Sequence, residues 1–255
     1  MEGQVLRLTL NNPKKRNALS MAMLSELEAA LGEASSESSV RAVVLAAEGP
    51  VFSSGHDLKE LTSATGADQH KAVFSLCSEV MQLVQEVPVP VVAEVGGLAA
   101  AAGCQLVASC DIVVAADNAS FSTPGARAGL FCSTPGIALA RAANHKLALD
   151  MLLTGRTIDA ETALAGGLVS RVVKAKTLVA EVEAVCKAIC DLSSPVLALG
   201  KAFFYTQIGQ DRKTAYKLGE TIMTENLRFA DAQEGISAFI KKTKPVWKHS
   251  NEPVH

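Results

Sequence analysis

Two glycine turns hold the residues of this 255-residue chain that could do chemistry. One is Gly96 to Cys104, GGLAAAAGC, between the apolar run Val91–Val95 and Gln105–Ser109, which can make one to two turns of helix. Backbone with almost no side chain in front of it can point its N–H groups at a ligand. The positive end of the following helix dipole adds to that, so the turn suits a negative oxygen. The same small residues also let a helix sit close against a strand, and this stretch alone leaves both readings open. The other turn is Gly55-His56-Asp57-Leu58. An imidazole there can act as a base toward a reactive carbonyl compound or merely shape a pocket. Asp57 is the kind of residue that accepts backbone N–H bonds to hold a turn.

Other reactive side chains are scattered. Lys14, Lys15 and Arg16 form one basic cluster, and Lys241, Lys242 and Lys244 another; either can be a solvated loop or meet an anion. Cys77, Cys104, Cys110, Cys132, Cys186 and Cys190 include no C-x-x-C pair, and in a chain this large core thiols are expected before a disulfide framework. Cys186 and Cys190 lie one helical turn apart with no His at ligand spacing, so no metal is expected. No His is placed to activate Cys104 or Cys132.

Periodicity gives the elements that position these groups. Leu6 to Leu10 alternates like a half-buried strand. Ser20 caps a helix to Leu31, with Leu24, Leu27 and Leu31 on one face, Gly32 as its stop and a loop over 35–39. Arg41–Ala47 is a buried strand. Residues 62–67 read as a mobile loop and 68–87 as a long helix, with Val73, Leu76, Val80, Leu83 and Val87 at helical spacing. Val91–Val95 and Ile112–Ala116 are further strands. A helical pattern runs from Ile137 through Leu152, a short helix covers 157–164 and a strand 168–173. Beyond Thr177 the chain is helical: Val179, Val182, Val185, Ile189 and Leu192 share a face, then helices cover 195–205 and 210–229. Strand, turn and helix recur three times before residue 120. One such unit cannot bury its apolar face alone, so the units must stack. About half the residues are apolar, 49%, enough for a sizeable core, and the net charge of -2 gives no reason to expect nucleic acid or an acidic membrane surface as partner. No apolar run reaches the roughly 18 residues of a membrane span.

The two turns together resemble the crotonase (enoyl-CoA hydratase/isomerase) superfamily. Its G-x-D-[LI] element matches Gly55-His56-Asp57-Leu58, and its G-C-x-L element matches Gly103-Cys104-Gln105-Leu106, with Cys110-Asp111-Ile112 after it. Asn17-Ala18-Leu19, Leu153-Thr154-Gly155-Arg156, Ala163 to Val169 (ALAGGLV), and Asp231-Ala232-Gln233-Glu234-Gly235 with Phe239 follow the family in order. Any one match is weak; six in order over one chain are strong.

The resemblance implies an α/β crotonase fold, a spiral of stacked strand-strand-helix turns over residues 1–176, and a C-terminal helical region, 177–255, that covers the site or joins subunits. It implies an acyl-coenzyme A thioester as ligand or substrate, no other cofactor, a homotrimer or hexamer, and a mitochondrial matrix location. No signal or transit pattern opens the chain, so a processed presequence is expected to be missing from it. The backbone N–H groups of His56 and Ala102 fall where the family holds the thioester oxygen. Lys15, Arg16, Ala18, Ser54, His56, Asp57, Leu58, Phe239 and Lys242 fall around the coenzyme. The hydratases' two glutamates, however, fall at Gln105 and Gly125. Gln exchanges no proton at neutral pH and Gly has no side chain. Little or no hydratase activity is therefore expected. The alternatives are a non-catalytic acyl-CoA-binding regulator, a thioester hydrolase or decarboxylase, or a hydratase with a carboxylate relocated from Glu60 or Glu79. Joint replacement of Gln105 and Gly125 by Glu is expected to restore some hydration.

Overall fold

A computed structural model describes residues 4–254. Strand β1 (Val5–Leu10) leads through a 3-10 turn at Pro13–Lys15 into helix α1 (Met21–Ser36). Three circuits follow. The first is β2 (Ala42–Ala47), β3 (Val51–Ser53) and α2 (Gly66–Glu86). The second is β4 (Val91–Val95), β5 (Leu98–Ala100) and α3 (Ala102–Ser109). The third opens with β6 (Ile112–Ala116) and β7 (Ser120–Ser122) and continues through α4 (Ser133–Ala142) and α5 (His145–Thr154). It ends in β8 (Thr157–Asp159), α6 (Ala160–Ala165) and β9 (Arg171–Val173).

Each circuit opens by laying one strand in each of two sheets, and the third adds a second strand to both. The first sheet has the order β1-β2-β4-β6-β9 and the second β3-β5-β7-β8. All pairs are parallel except β7 with β8. This is the expected spiral, and its second sheet explains why the small-residue turn contains a strand that periodicity does not show. Leu98-Ala99-Ala100 has little strand propensity of its own. It is strand because Val51–Ser53 on one side and Ser120–Ser122 on the other supply ladder partners.

Both faces of the first sheet are covered, as parallel sheets require. On β2, Val43 and Leu45 face the main core with Leu24, Leu31, Phe52, Leu106 and Phe121. Ala42, Val44 and Ala46 face the other side, under α7 (Leu178–Cys190), whose Val182, Val185 and Ile189 cover them. Burying each of those large side chains is worth roughly 1.5–3 kcal/mol.

Several expected boundaries move. Helix α1 does not stop at Gly32 but runs to Ser36, because its buried stripe continues to Ala34 and the helix is open around Gly32. Residues 58–65 are two 3-10 turns rather than a loop, tied by the Thr65 hydroxyl donating to the carbonyls of Glu60 and Thr62. The 137–152 pattern is two helices, because Asn144 leaves the helix and caps α5 by accepting the Leu147 N–H at 2.8 Å. The short helix over 157–164 gives way to β8 and α6. Ile158 is buried against β7, and Asp159 caps α6 by accepting the Thr162 N–H.

From α8 (Ser194–Gln207) through α9 (Arg212–Asn226) to α10 (Ala230–Lys241) the chain buries little. No residue of α8 or α9 is fully buried. One polar anchor ties α8 to the core. Lys201 donates to Asp111 at 2.7 Å and to the carbonyls of Val84 and Val89, and the Tyr205 hydroxyl donates to the other Asp111 oxygen at 2.8 Å.

Candidate active site

The site begins with a buried asparagine. Asn17, wholly buried at φ 50°, accepts the Asn12 N–H and donates to the carbonyls of Glu48 and Val51. It fastens the basic turn to the β2–β3 connection, so Lys15 and Arg16 are presented from a fixed loop. Beside it the chain is hydrogen-bonded to the second turn: Ser54 N–H donates to the Arg16 carbonyl and Leu19 N–H to that of Gly55.

Gly55 needs its lack of a side chain twice over. Its φ is +88°, and a Cβ there would lie 2.9 Å from the Ala101 Cβ and 3.1 Å from the Ala102 nitrogen. That close approach brings the His56 turn against the start of α3. Ala102 is the first residue of α3, so its N–H has no intrahelical acceptor. Neither N–H has a protein partner among the described residues. The positive φ of this turn falls one residue earlier than the donor, on Ala101 at φ 49° and ψ -119°. The close-packing reading of the small-residue stretch holds. Gly103 is the close-packing residue, where a Cβ would meet the Ser53 carbonyl oxygen at 2.5 Å, while Ala101 and Ala102 line open space.

That space is a cavity of about 640 Å³. Lys15, Arg16, Ala18, Ser54, His56, Asp57, Leu58, Ala102 and Gly125 all line it. Three of the expected site residues do not. Gln105 is buried behind the helix start, 5% exposed, with its Oε1 unpartnered. Phe239 and Lys242, at the end of α10, are exposed and away from the cavity of their own chain. Sequence reasoning missed the apolar wall: Leu61, Phe74 of α2, Leu130, Phe131 and Cys132 of the loop into α4, and Pro135 in the first turn of that helix. Its signal was a short apolar run, Leu130-Phe131-Cys132, inside a loop.

The ionisable groups are few. Asp57 is the one carboxylate among the described lining residues. It is held by the Lys59 N–H at 3.1 Å and paired with Lys15 at 3.4 Å, which keep its carboxyl below the usual range. Glu60 accepts the Met21 N–H at the start of α1, and Glu79 accepts the Ser75 hydroxyl on the exposed side of α2. Neither lines the cavity, so neither replaces a missing acid. Burial pushes the Cys104 thiol up to about 12 and raises Cys132, so neither is an activated nucleophile. Burial also lowers His56, against the opposing pull of the Leu19 carbonyl and Glu60. Among the described residues no cluster of His, Cys, Asp or Glu is fit to hold a metal ion, and no helix is long and apolar enough to cross a membrane.

A two-sheet spiral that sets two free backbone donors over a basic loop is the arrangement of acyl-CoA chemistry. The chain belongs to the enoyl-CoA hydratase/isomerase family, whose pattern matches residues 1–250. Among its relatives is the human enoyl-CoA hydratase domain-containing protein 3, mitochondrial. That protein is 55% identical over 250 residues, which are 98% of this chain and 82% of the relative. The crystal structure of human enoyl coenzyme A hydratase domain-containing protein 3 superposes with a TM-score of 0.94 at 53% identity, covering 96% of this chain and 97% of that one. An enoyl-CoA hydratase from Mycobacterium smegmatis also superposes at 0.94, with 46% identity over 97% of this chain and 96% of that one.

Proposed function

We propose that the protein binds an acyl-CoA thioester in this cavity and polarises its carbonyl between the His56 and Ala102 N–H groups, while lacking the acid and base that hydration needs. The observation that carries this reading is the cavity lining itself. It contains the two unpartnered donors, and its single carboxylate, Asp57, is engaged by Lys15 and by a backbone N–H. Gln105 and Gly125 stand where the resemblance puts the hydratase glutamates. Each positioned acid or base is worth about 10²–10⁴-fold in rate, so loss of both leaves hydration near background.

The binding role is favoured over hydrolysis because burial raises both thiols near the cavity, and the His56 ring has its Nε2 buried and its Nδ1 against the Leu19 carbonyl rather than toward ligand. Lys15 and Arg16 supply positive charge to the coenzyme phosphates. The helical region 177–255 serves assembly into a trimer or hexamer, and the relatives' names support a mitochondrial setting for this chain. Calorimetry with butyryl-CoA, followed by turnover assays of crotonyl-CoA hydration and coenzyme A release, tests this. Binding with negligible hydration is expected. Efficient hydration of crotonyl-CoA would overturn the proposal.

A further inference from the structure

We infer that the imidazole of His56, in its neutral Nδ1–H form, is a positioning residue that fixes its own backbone N–H beside that of Ala102, so that carbonyl polarisation is lost on acidification. The inference rests on the acyl-CoA reading of the cavity. Its basis is that the ring is held through Nδ1 and packed edge-on against an aromatic ring, with its other nitrogen sealed off. Nδ1 lies 3.3 Å from the Leu19 carbonyl oxygen, which can only accept, so Nδ1 carries the proton. Leu19 in turn donates its N–H to the Gly55 carbonyl at 2.8 Å. These two bonds clamp the peptide on either side of the His56 nitrogen to the Ala18–Leu19 segment.

The other nitrogen, Nε2, is buried with no partner among the described residues. The ring meets Phe74 of α2 edge-on, with centroids 5.3 Å apart and planes at 88°. Nε2 therefore does not reach the ligand space, and His56 is not a general base in this arrangement. Protonation would place an N–H where nothing accepts it, and a buried unsatisfied charged donor is costly. The charged surroundings do not rescue it. Glu60, on the 58–61 turn, favours the charged ring, but its carboxylate is taken by the Met21 N–H. Asp57 is paired with Lys15, while Lys59 and Arg16 are further cations. Helix α2 presents the uncharged Phe74 ring, the 17–19 segment presents backbone, and the facing loop presents the neutral Cys132 thiol.

The sign follows. Burial depresses the folded-state pKa below 6.5, so between the two values the unfolded or opened state binds the extra proton. The clamp is at full strength above 6.5 and weakens as pH falls below it.

The test is infrared difference spectroscopy of butyryl-CoA carrying a ¹³C thioester carbonyl, bound to the full chain. At about pH 8 the wild type shifts the carbonyl stretch to lower frequency, and at the lowest pH at which circular dichroism still reports a folded chain most of that shift is gone. His56→Asn, whose amide can stand in for Nδ1–H, keeps more of the shift than His56→Gln, whose amide falls near Nε2, and it keeps it at both pH values. Equal shifts in the Asn and Gln variants overturn the inference, as does a wild-type shift that persists unchanged at the lower pH. If a variant does not fold, the wild-type pH series alone decides. A wild type that binds no butyryl-CoA at the higher pH removes the acyl-CoA reading as well, so the two failures are distinguishable.

Discussion

At the scale of single residues, Gly125 decides whether a carboxylate can be built into this wall of the cavity. Its backbone sits at the cavity as the family pattern requires, but its side-chain direction is occupied. A Cβ there would overlap the Leu130 carbonyl oxygen and lie 2.7 Å from the Cys132 sulfur. The loop closes on itself at this point: Leu130 N–H donates to the Gly125 carbonyl, and Gly125 N–H to the Cys132 sulfur at 3.3 Å. The expected repair by joint Gln105→Glu and Gly125→Glu substitution is therefore corrected, since the second carboxylate has nowhere to go without rebuilding residues 125–132. Gly125→Ala alone is expected to cost about 1–3 kcal/mol through overpacking, measurable as a lowered denaturant midpoint. The Gln105→Glu, Gly125→Glu double variant is expected to be destabilised and to hydrate crotonyl-CoA no faster than wild type. A folded double variant with a clear gain in hydration would show that the loop has a second arrangement.

At the scale of elements, two local features set the site and can be tested apart from ligand. The turn into α3 carries its strain on Ala101, in a region of φ and ψ that glycine enters freely and alanine does not. Ala101→Gly is expected to stabilise the chain by about 1 kcal/mol in chemical denaturation, provided the donor geometry at Ala102 is kept. The second feature is the anchor of α8. Lys201 spends all three of its donors on Asp111 and on the carbonyls of Val84 and Val89, at the joint between α2, β4 and the α3–β6 turn. Lys201→Met leaves the Val84 and Val89 carbonyls without that donor and strips Asp111, still held by the Tyr205 hydroxyl and the Val91 N–H, of its counter-charge. Breaking a buried pair from one side costs about 3–5 kcal/mol, so a large drop in stability is expected. Hydrogen exchange should quicken first in α8.

At the scale of the whole molecule, the exposed surface bears on assembly. The isolated chain exposes 13634 Å², against about 10,700 Å² for a compact monomer of this length. The excess carries Phe204, Ile208, Tyr216, Met223, Phe239 and Ile240, all more than half exposed. Large apolar patches of this kind mark contacts with other proteins. A trimer or hexamer is expected by light scattering at micromolar concentration, and a stable monomer would reject it. The basic loop makes a second prediction at this scale. Coenzyme A thioesters should bind more tightly than the matching acyl pantetheine, and raising salt should weaken the former far more than the latter, because only the former carries the nucleotide phosphates that Lys15 and Arg16 would meet.

The amino-acid sequence by itself determined which stretches are apolar and where the chain must turn. The runs at 41–47, 91–95 and 112–116, the stripe at Val73, Val80 and Val87, and the pairing of two glycine turns were legible because local pattern and burial agree there. The short strands β5, β7 and β8 were not. Leu98-Ala99-Ala100, Ser120-Phe121-Ser122 and Thr157-Ile158-Asp159 are too short to show a period, and only ladder partners distant in sequence make them strand. The same division holds in the site. Gly55-His56-Asp57 marked a turn that lines the cavity, and it was plain that neither residue 105 nor residue 125 is a carboxylic acid. Tertiary structure alone decided that Glu60 and Glu79 point elsewhere, that Gly125 has no room for a side chain, and that the second ring nitrogen of His56 is sealed off rather than presented to ligand. Those outcomes depend on what lies across a gap of a few ångströms, set by residues distant in the chain: Met21 for Glu60, Leu130 and Cys132 for Gly125, Leu19 and Phe74 for His56.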